Sequence, residues 1–388
     1  MKKIVLAYSG GLDTSCCIRW LKNKGFKVIC FSANLGSEFS PSDLKIRAIK
    51  SGAERIYIKD LRREFAHEYI LPSLKAGAVY QNKYLLSTAL GRPLIAKYLV
   101  NVAEKEKANF VAHGCSAKGN DQVRFELSIK ILNPKLKIIA PLREWELKSR
   151  EEEISYAKKY KIPLKTTEKK PYSIDKNIWG TSIEAGILED LEKPLPANSY
   201  ITIKQPQKIK DEEITVAIKF LKGVPVALKG KRLGLKELIE KLNNIGGNCG
   251  IGRTDLIEDR IVGIKSREIY EAPAAWILYT AHHELESLTL DRETLFFKKI
   301  IALKYAQLIY QGLWFSSLKK ALDAFVEEIQ TKVSGEITLG LYKSNIFIKK
   351  RYSPNSLYRK DLATYSKNDK FNRYLAEGFI KLFGMPFS

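Results

Sequence analysis

The segment from residue 7 to residue 15, Ala-Tyr-Ser-Gly-Gly-Leu-Asp-Thr-Ser, lies between a β-like run and a stretch with helical spacing of apolar residues. A loop in that position places backbone N–H groups and a helix dipole at the carboxyl end of a strand, where they can hold phosphate. Gly10 and Gly11 let the backbone approach an anion closely. Hydroxyl donors are available from Ser9, Thr14 and Ser15. The loop is not a Walker A sequence, and the alternative is a plain Gly-Gly turn in which Asp13 caps a helix.

The first part of the chain alternates short β-like runs with helical patterns. The β-like runs are IVLAY (4–8), VICFSA (28–33), RIYIKD (55–60), NFVAHG (109–114) and KIIAP (137–141). Apolar residues with helical spacing occur between them, from Thr14 to Asn23 and from Ala89 to Lys105. This alternation predicts a parallel sheet that is covered by helices on both faces.

The pattern changes after about residue 165, and we expect a second domain there. The segment 189–213 is typical of a loop. The elements expected beyond it are a hairpin over 214–230, a helix over 235–243, strand pairing over 255–266, long helical patterns over 272–288 and 292–333, and alternating strand over 336–350. The tail over 370–383 suits an amphipathic helix, for which a neighbouring subunit is one candidate covering surface.

The charge balance raises the question of nucleic acid. Lys and Arg number 66 against 43 Asp and Glu, which gives a net charge of +23. The lysines are scattered in pairs along the chain, whereas a binding stripe would cluster basic residues with aromatics. A solvated basic surface is therefore the favoured interpretation, and no specific nucleic-acid partner is expected.

The composition also excludes several other classes of protein. The five cysteines are odd in number and form no C-x-x-C pair, and the four histidines form no H-E-x-x-H motif, so neither a disulfide framework nor a built-in metal site is expected. No apolar run approaches the roughly 20 residues that cross a bilayer. The cysteine content fits a protein of the reducing cytoplasm best.

Several further stretches narrow the interpretation. They are Lys83-Tyr84 followed by T-A-L-G-R-P (88–93), H-G-C-S-A-K-G-N-D-Q-V-R-F-E (113–126), P-Y-S-I-D-K-N (171–177), E-A-G-I-L-E (184–189), I-E-D-R-I-V-G-I-K-S-R-E-I-Y-E-A-P (257–273), Y-Q-G-L-W-F (310–315) and S-P-N-S-L-Y (353–358). The loop resembles that of ATP pyrophosphatases, and the whole set closely resembles the argininosuccinate synthase family. The stretches follow the family's order from residue 7 to the C-terminus.

The resemblance implies an α/β fold with three parts. They are a Rossmann-like (adenine nucleotide alpha hydrolase-like) nucleotide-binding domain at 1–165, an α+β synthetase domain at 166–360 and a C-terminal oligomerisation helix at 361–388. It also implies an ATP-dependent ligase of arginine biosynthesis. This enzyme would join L-citrulline to L-aspartate through a citrulline-adenylate and release AMP and pyrophosphate. A cytoplasmic homotetramer is implied, and Mg²⁺ is expected with ATP, held mainly by phosphate and water oxygens.

The resemblance assigns site residues by position. ATP would be held by Ala7, Tyr8, Ser9, Gly10, Gly11, Leu12, Asp13, Thr14, Ser15, Ala33 and Gly114. The aspartate contacts would be Ser116, Asn120 and Asp121, with Arg92 as a further carboxylate contact. The citrulline contacts would be Tyr84, Asn120, Arg124, Ser173, Ser182, Glu258 and Tyr270, and Thr88 is also expected to touch a substrate. The catalytic residues would be Asp13, Asp121 and Arg124.

The chemistry of these side chains is compatible with other roles. Arg124 can bind a carboxylate and Glu258 an α-ammonium group, but from the residues alone both could be surface ion pairs. The segment G-N-D (119–121) could simply open a helix, and Ala33 could end a strand. The sequence departs from the family pattern at Ser37, Ser87, Ser116, Ala117 and Thr181.

Two rival functions remain. One is a tRNA-modifying enzyme with the same kind of loop, which the positive charge favours and the missing catalytic C-x-x-C pattern disfavours. The other is a non-catalytic nucleotide-binding protein. The retention of Asp121, Arg124, Glu258 and Tyr270 argues against the second rival.

Overall fold

The computed structural model describes residues 2–37, 40–116, 118–147, 149–163, 172–196 and 199–387. The first part of the chain forms a five-stranded parallel sheet with the strand order β3-β2-β1-β4-β5. Its strands are β1 (Lys2–Ala7), β2 (Phe26–Asn34), β3 (Arg55–Asp60), β4 (Phe110–Ala112) and β5 (Lys137–Ile139). Each of the five β-like runs in the sequence contributes one strand, so the prediction of a parallel sheet is confirmed.

Helices flank this sheet. They are α1 (Leu12–Asn23), α2 (Pro41–Ser51), α3 (Arg62–Glu64), α4 (Leu71–Ala76), α5 (Ser87–Lys105), α6 (Asn120–Leu132), α7 (Pro141–Glu144) and α8 (Arg150–Lys159), with a wider helical turn over Phe65–Ile70. Helix α2 has clear end signals: the Ser40 hydroxyl accepts from the backbone N–H of Asp43 at 3.3 Å, Pro41 fills the first turn, and Gly52 ends the helix with φ of 112°. These are usual start and stop signals of a helix.

The second part of the chain contains two antiparallel sheets. The strands are β6 (Ser173–Asn177), β7 (Gly180–Glu184), β8 (Ile214–Leu221), β9 (Val224–Leu228), β10 (Lys231–Arg232), β11 (Arg253–Asp259), β12 (Lys265–Glu271), β13 (Gly335–Tyr342) and β14 (Asn345–Tyr352). One sheet has the order β10-β9-β8-β13-β14, and the other has the order β11-β12-β7-β6. The hairpin expected over 214–230 is present as β8-β9, and the alternating strand expected over 336–350 is a second hairpin, β13-β14.

The helices of this part are α9 (Leu235–Asn248), α10 (Pro273–Thr289), α11 (Arg292–Tyr310), α12 (Ser317–Gln330), α13 (Lys360–Ala363) and α14 (Arg373–Gly384). The helical pattern expected over 292–333 is two helices. Helix α11 ends before Gly312, which has φ of 77°, and the Ser316 hydroxyl caps α12 by accepting from the N–H of Lys319 at 3.3 Å. The apolar residues keep their helical spacing on both sides of Gly312, because both helices pack on the same core.

The register of the four-stranded sheet gathers polar side chains on one face. Ser182 of β7 lies opposite Tyr270 of β12 and Asp175 of β6. Ser173 lies opposite Glu184 two residues further along β7. Because directly opposite residues and alternate residues of a strand share a face, these side chains project from the same side of the sheet. This polar face is turned toward α5 and α6, since Ser182 bonds Thr88 at 3.0 Å and Asp175 pairs with Arg92.

A hydrophobic core joins the two parts of the chain. It runs from Val5 and Ile29 of the parallel sheet through Leu94 of α5 to Ile277 of α10 and Leu339 of β13. The relative placement of the two halves is therefore fixed by apolar packing. A domain boundary at residue 165 stays a prediction.

The C-terminal helix α14 leaves its apolar side exposed. Leu375, Phe379, Ile380, Leu382 and Phe383 are all exposed, and the rings of Phe379 and Phe383 stack at 5.4 Å. Within the described ranges, none of the helices has both the length and the apolar character to cross a membrane.

Candidate active site

The strand order of the parallel sheet reverses between β1 and β4, because β2 and β3 lie on one side of β1 and β5 lies beyond β4. At such a reversal a crevice opens at the carboxyl ends of the strands, and ligands bind there in open α/β sheets. The loops that follow β1 and β4 touch each other in this crevice. A Cβ atom on Gly114 would lie 2.8 Å from Cγ2 of Thr14, so glycine at position 114 lets the two loops pack.

The phosphate-type loop has one glycine with a strict structural role. Gly10 has φ of +80°, and a Cβ atom there would lie 2.3 Å from Cδ2 of Leu44. Gly11, with φ of −76°, caps α1, and a Cβ atom there would meet only the Ser9 hydroxyl at 3.4 Å. Since the first-turn N–H groups of a helix have no partner within the helix, and glycine offers no capping side chain, these groups of α1 are free to face an anion.

The hydroxyl groups predicted from the sequence brace the loop. Ser15 donates to the carbonyl of Gly11 at 2.7 Å, and the hydroxyls of Ser9 and Thr14 lie 3.1 Å apart. The phenol of Tyr8 lies 3.2 Å from the Ser15 hydroxyl, and burial raises the pKa of Tyr8. The loop therefore has a fixed shape before any ligand binds.

Arg47 of α2 lies behind the loop, and the sequence analysis did not identify it. Its Nη1 donates to the carbonyl of Gly10, and its Nη2 pairs with Asp43 at 3.0 Å. A guanidinium group that is itself paired with Asp43 is thus held against the loop. A single arginine in a helix carries no local sequence signal for such a contact.

Glu153 of α8 is a second unexpected neighbour of the loop. Burial and the nearby charge of Asp13, to which it is hydrogen-bonded, raise the pKa of Glu153 to about 8. Glu153 therefore holds its proton more strongly than an exposed glutamate does. Asp13 lies in the first turn of α1, so both carboxyl groups are beside the loop.

Two carboxyl groups beside the loop are possible ligands of a hard cation such as Mg²⁺. Carboxylate oxygens are ligands that Mg²⁺ accepts, and Asp13 and Glu153 offer them next to the phosphate loop. Within the ranges that the structure describes, no group of three or more His, Cys, Asp or Glu side chains could enclose a metal ion.

Asp121 lies between two arginines at the start of α6. Arg92 donates from Nε and Arg124 from Nη1, each at 2.8 Å, and Arg92 also pairs with Asp175 of β6. Burial opposes ionisation of Asp121, but the two guanidinium groups outweigh it and lower its pKa to about 2. Arg92, Asp121 and Arg124, which were all predicted from the sequence, thus form one network of ion pairs. Asp175 extends this network to the second half of the molecule.

Arg124 is buried and has one unsatisfied donor. Its Nε donates to the carbonyl of Tyr310 at 2.9 Å, and its guanidinium carbon lies 4.8 Å from the centre of the Tyr310 ring. Its Nη2 is buried and has no hydrogen-bond partner among the residues that the structure describes. The turn after α11 packs closely against α6 at Gly312. A Cβ atom on Gly312 would lie 2.5 Å from Cα of Arg124. A carboxylate that entered beside Arg124 could satisfy Nη2.

Glu258 forms the centre of a second cluster. It accepts from the phenols of Tyr270 and Tyr310, the latter at 2.5 Å, and from Nδ2 of Asn120 at 3.3 Å. Asn120 in turn accepts from the N–H of Ile261 at 2.8 Å. Burial and the adjacent Glu258 carboxylate raise the pKa of both tyrosines. The cluster therefore ties α6 to β11, β12 and α11 around one buried carboxylate.

Tyr84 and Thr88 connect α5 to the polar face of the four-stranded sheet. The ring of Tyr84 stacks on that of Tyr270 at 3.9 Å, and its phenol oxygen accepts from the N–H groups of Thr88 and Ala89 at 3.1 and 3.2 Å. The hydroxyls of Thr88 and Ser182 lie 3.0 Å apart. The structure thus brings four predicted substrate contacts into one continuous surface.

Three further predicted residues lie on other elements or on β6. Ser173 lies on β6, Ser116 follows β4 in the loop before α6, and Ala33 lies near the end of β2. Thr181 is buried, and its hydroxyl has no partner among the described residues. Ala117, where the resemblance leads us to expect glycine, lies outside the described residues.

Tyr310 and Asp175 were assigned no role from the sequence, although the stretches Y-Q-G-L-W-F and P-Y-S-I-D-K-N contain them. Both act through contacts with residues far away in the chain. The only indication of a role for Tyr310 and Asp175 in the sequence was their presence in these two stretches.

Comparison with known proteins matches both halves of the chain to one family. The profile described as "Arginosuccinate synthase N-terminal HUP domain" matches residues 3–163, and "Arginosuccinate synthase C-terminal domain" matches residues 172–388.

Curated relatives match over nearly the full length. The chain is 55% identical over 386 residues to argininosuccinate synthase of Carboxydothermus hydrogenoformans, which covers 99% of this chain and 96% of the relative. The argininosuccinate synthases of Chlorobium limicola and Pelotomaculum thermopropionicum are 53% and 52% identical, over 99% and 100% of this chain and 96% of each relative.

Proposed function

The chain belongs to the argininosuccinate synthase family, and we propose that the crevice between its two halves performs the reaction of that family with specific residues in each role. The protein is a ligase that condenses citrulline and aspartate at the expense of ATP, in keeping with arginine biosynthesis. The assignment of residues to steps follows from the contacts described above.

The loop after β1 would hold the β and γ phosphates of ATP. The first-turn N–H groups of α1, the hydroxyls of the loop and the charge of Arg47 all favour an anion there. Ala33 near the end of β2 and Gly114 just after β4, on the two sides of β1, would lie near the adenosine. This arrangement leaves the α-phosphate exposed toward the amino acid side of the crevice.

Asp13, with Glu153 beside it, would face Mg²⁺ when the nucleotide is bound. The cation would neutralise charge on the departing pyrophosphate. The two carboxyl groups would orient its water ligands, in keeping with a site that the protein only partly encloses.

Citrulline would lie on the polar face of the four-stranded sheet. Its carboxylate would reach Arg124, and its α-ammonium group would reach Glu258, whose carboxylate the tyrosines hold in place. Ser173, Ser182, Thr88 and Tyr84 would complete the contacts. Aspartate would bind at Ser116, Asn120 and Asp121, with a carboxylate near Arg92.

The observation that carries this proposal is the buried Nη2 of Arg124, which has no hydrogen-bond partner among the described residues. Unpaired buried donors are uncommon, and a charged one indicates a ligand of opposite charge. Arg124 is also linked through Asp121 and Arg92 to both halves of the molecule. An amino acid carboxylate at this point would lie on the same crevice as the phosphate loop.

The chemistry needs positioning and charge stabilisation rather than a protein nucleophile. The ureido oxygen of citrulline attacks the α-phosphorus of ATP, and pyrophosphate leaves. The resulting citrulline-adenylate carries a good leaving group, so the amine of aspartate can displace AMP.

The purified protein tests the proposal directly. AMP and pyrophosphate should accumulate over many turnovers only when citrulline, aspartate and MgATP are all present, and argininosuccinate should accumulate in equal amount. Formation of ADP would contradict the proposal. AMP production that tRNA stimulates and citrulline does not affect would favour a tRNA-modifying enzyme instead.

We also propose that the protein is a cytoplasmic homotetramer in which α14 packs on a neighbouring subunit. The exposed apolar side of α14 supports this, because a surface of that kind is normally covered. Solution mass should correspond to four chains, and a chain ending before α14 should give a smaller assembly.

A further inference from the structure

Two carboxylates that the sequence analysis did not assign lie beside the proposed substrate contacts. Glu184 is two residues beyond Ser182 on β7 and therefore on the same face of the sheet. In the same register, Ser182 lies opposite Tyr270, and Glu268 is two residues before Tyr270 on β12. Glu184 and Glu268 therefore stand side by side on the polar face.

Arg260 bridges the two carboxylates. Its Nη2 lies 3.1 Å from Oε2 of Glu184 and 2.8 Å from Oε1 of Glu268. Its Nη1 donates to the carbonyl of Lys118 at 3.2 Å. Lys118 belongs to the loop that carries Ser116, a proposed aspartate contact. One guanidinium group thus holds the carboxylate pair next to the loop where aspartate would bind.

The two carboxylates differ in exposure. The side chain of Glu268 is 4% exposed and also accepts from the Ser266 hydroxyl at 2.8 Å, whereas the side chain of Glu184 is 45% exposed. Burial and the charge of Glu184 raise the pKa of Glu268 to about 7. Glu268 is therefore the more buried member of the pair, and the more exposed Glu184 presents its carboxylate to the crevice.

Charged groups from several elements face Glu184. Burial raises its pKa, Arg260 lowers it, and Asp121 of α6, Asp175 of β6 and Glu258 of β11 raise it further. A general base is most effective when its pKa lies near the working pH, and these surroundings move Glu184 in that direction.

The other carboxylates of the crevice are held by several donors or by a different arginine. Asp121 is held by two arginines that lower its pKa to about 2, and Asp175 is paired with Arg92. Glu258 already accepts from two phenols and an amide. Glu184 shares Arg260 with Glu268, as Asp175 shares Arg92 with Asp121, but only the arginine beside Glu184 also donates to the carbonyl of Lys118 in the loop that carries Ser116.

We propose that Glu184 accepts the proton of the aspartate α-ammonium group, and that Arg260 and Glu268 position its carboxylate for that transfer. The inference rests on the proposed function and adds a residue to it.

The reaction starts from the neutral isourea form of the citrulline-adenylate and the protonated amine of aspartate. The ammonium group passes one proton to Glu184, and the nitrogen lone pair forms the new C–N bond. The C–O bond to the adenylate breaks, and AMP leaves with that electron pair. A second proton of the amine moves to the imine nitrogen and remains on the product guanidinium group. Glu184 then returns its proton to solvent.

The first test separates adenylation from aspartate capture. Exchange of labelled pyrophosphate into ATP, with citrulline present and aspartate absent, reports adenylation. In Glu184→Gln we expect this exchange to stay within about threefold of wild type. Capture of the adenylate by aspartate should fall about 100-fold, the usual size of general base catalysis. Asp255→Asn is the matched control, because Asp255 pairs with Arg267 on the solvent side of β11; it should change neither rate.

The second test distinguishes a proton acceptor from a binding residue. In Glu184→Gln the maximal rate of the aspartate step should rise about tenfold per pH unit between pH 7 and 9, as the fraction of free amine grows, while the wild-type rate stays nearly flat. In Glu184→Asp, which keeps a carboxylate, the aspartate step should be at least about tenfold faster than in Glu184→Gln. A raised KM for aspartate with a pH profile parallel to wild type would overturn the inference.

The outcomes also separate this inference from the proposed function. If the wild-type protein shows no citrulline-dependent exchange, the proposed function fails. If the wild type exchanges normally and Glu184→Gln captures aspartate at the wild-type rate, only the role of Glu184 fails. Loss of exchange in Glu184→Gln would also overturn that role, because the step assigned to Glu184 follows adenylation.

Discussion

The phenol oxygen of Tyr310 lies 2.5 Å from Oε1 of Glu258, although the two residues are 52 positions apart in the chain. Tyr310 is at the end of α11, and its carbonyl also accepts from Nε of Arg124. One residue thus supports both the carboxylate and the guanidinium group to which we assign the charged ends of citrulline.

Replacement of Tyr310 by phenylalanine should weaken citrulline binding. The change removes a donor to a buried carboxylate, and hydrogen bonds to charged groups contribute about 1.5–3 kcal/mol, so the KM for citrulline should rise at least about tenfold. The affinity for ATP should stay unchanged. Steady-state kinetics with citrulline as the varied substrate measure the effect.

Tyr305→Phe is the matched control for that change. The Tyr305 phenol donates to Asp323 at 2.6 Å, in contacts that do not belong to the crevice. This variant should lower thermal stability and leave the citrulline KM unaltered. Equal effects of the two variants on citrulline kinetics would show that Tyr310 has only a structural role.

Arg124→Ala should mainly raise the KM for citrulline. Nη2 of the arginine has no partner among the described residues and can bind a carboxylate, and loss of the arginine also leaves Asp121 paired with Arg92. We expect an increase of roughly 100-fold, which corresponds to about 2.7 kcal/mol for a charge-assisted contact. Arg267→Ala, which removes a surface ion pair to Asp255, is the control. Unchanged citrulline kinetics in Arg124→Ala would contradict the assigned role.

The two glycines of the phosphate loop should respond differently to alanine. At Gly10 the positive φ costs about 1 kcal/mol and the overlap with Leu44 about 1–3 kcal/mol more, so Gly10→Ala should unfold at a lower temperature. At Gly11 a Cβ atom meets no close neighbour but would project toward the ligand side, so Gly11→Ala should keep its stability and lose ATP affinity. Gly11→Val should abolish ATP binding.

Thermal unfolding and nucleotide titration of both variants test this contrast. A stable Gly10→Ala protein would contradict the geometry of the loop, and near-normal ATP affinity of Gly11→Val would contradict its phosphate role.

The elements of the fold were predictable wherever the signal is local. The five parallel strands follow from runs of β-branched and aromatic residues, and the hairpin over 214–230 follows from alternation around a Gly turn. The break between α11 and α12 was missed, because one core covers both helices and the apolar periodicity continues across Gly312.

The site was predictable only in part. The phosphate loop is contiguous in sequence, so its chemistry could be inferred from the residues themselves. Arg47, Glu153 and Glu184 reach the crevice through tertiary packing, and an isolated charged residue on a helix or strand gives no local indication of that. The roles of Glu258 and Tyr270 came from family resemblance and not from any pattern in the sequence.

His282 should make folding sensitive to acid. Burial lowers its pKa to about 4, against about 6.5 in an unfolded chain. Between these values the unfolded state binds a proton that the folded state excludes, so stability is full above about pH 6.5 and falls as the pH drops toward about 4. In His282→Gln the free energy of unfolding should depend less on pH across this interval. Urea unfolding at several pH values measures it, and parallel curves for both proteins would refute the assignment.

The central claim is that citrulline attacks the α-phosphorus of ATP held by the loop after β1. Citrulline labelled with ¹⁸O in its ureido group tests it most directly, because the adenylate mechanism breaks the ureido C–O bond and keeps the oxygen on phosphorus. We predict one ¹⁸O atom in each AMP and none in pyrophosphate. Label in inorganic phosphate, or unlabelled AMP with the ¹⁸O released into water, would contradict the account.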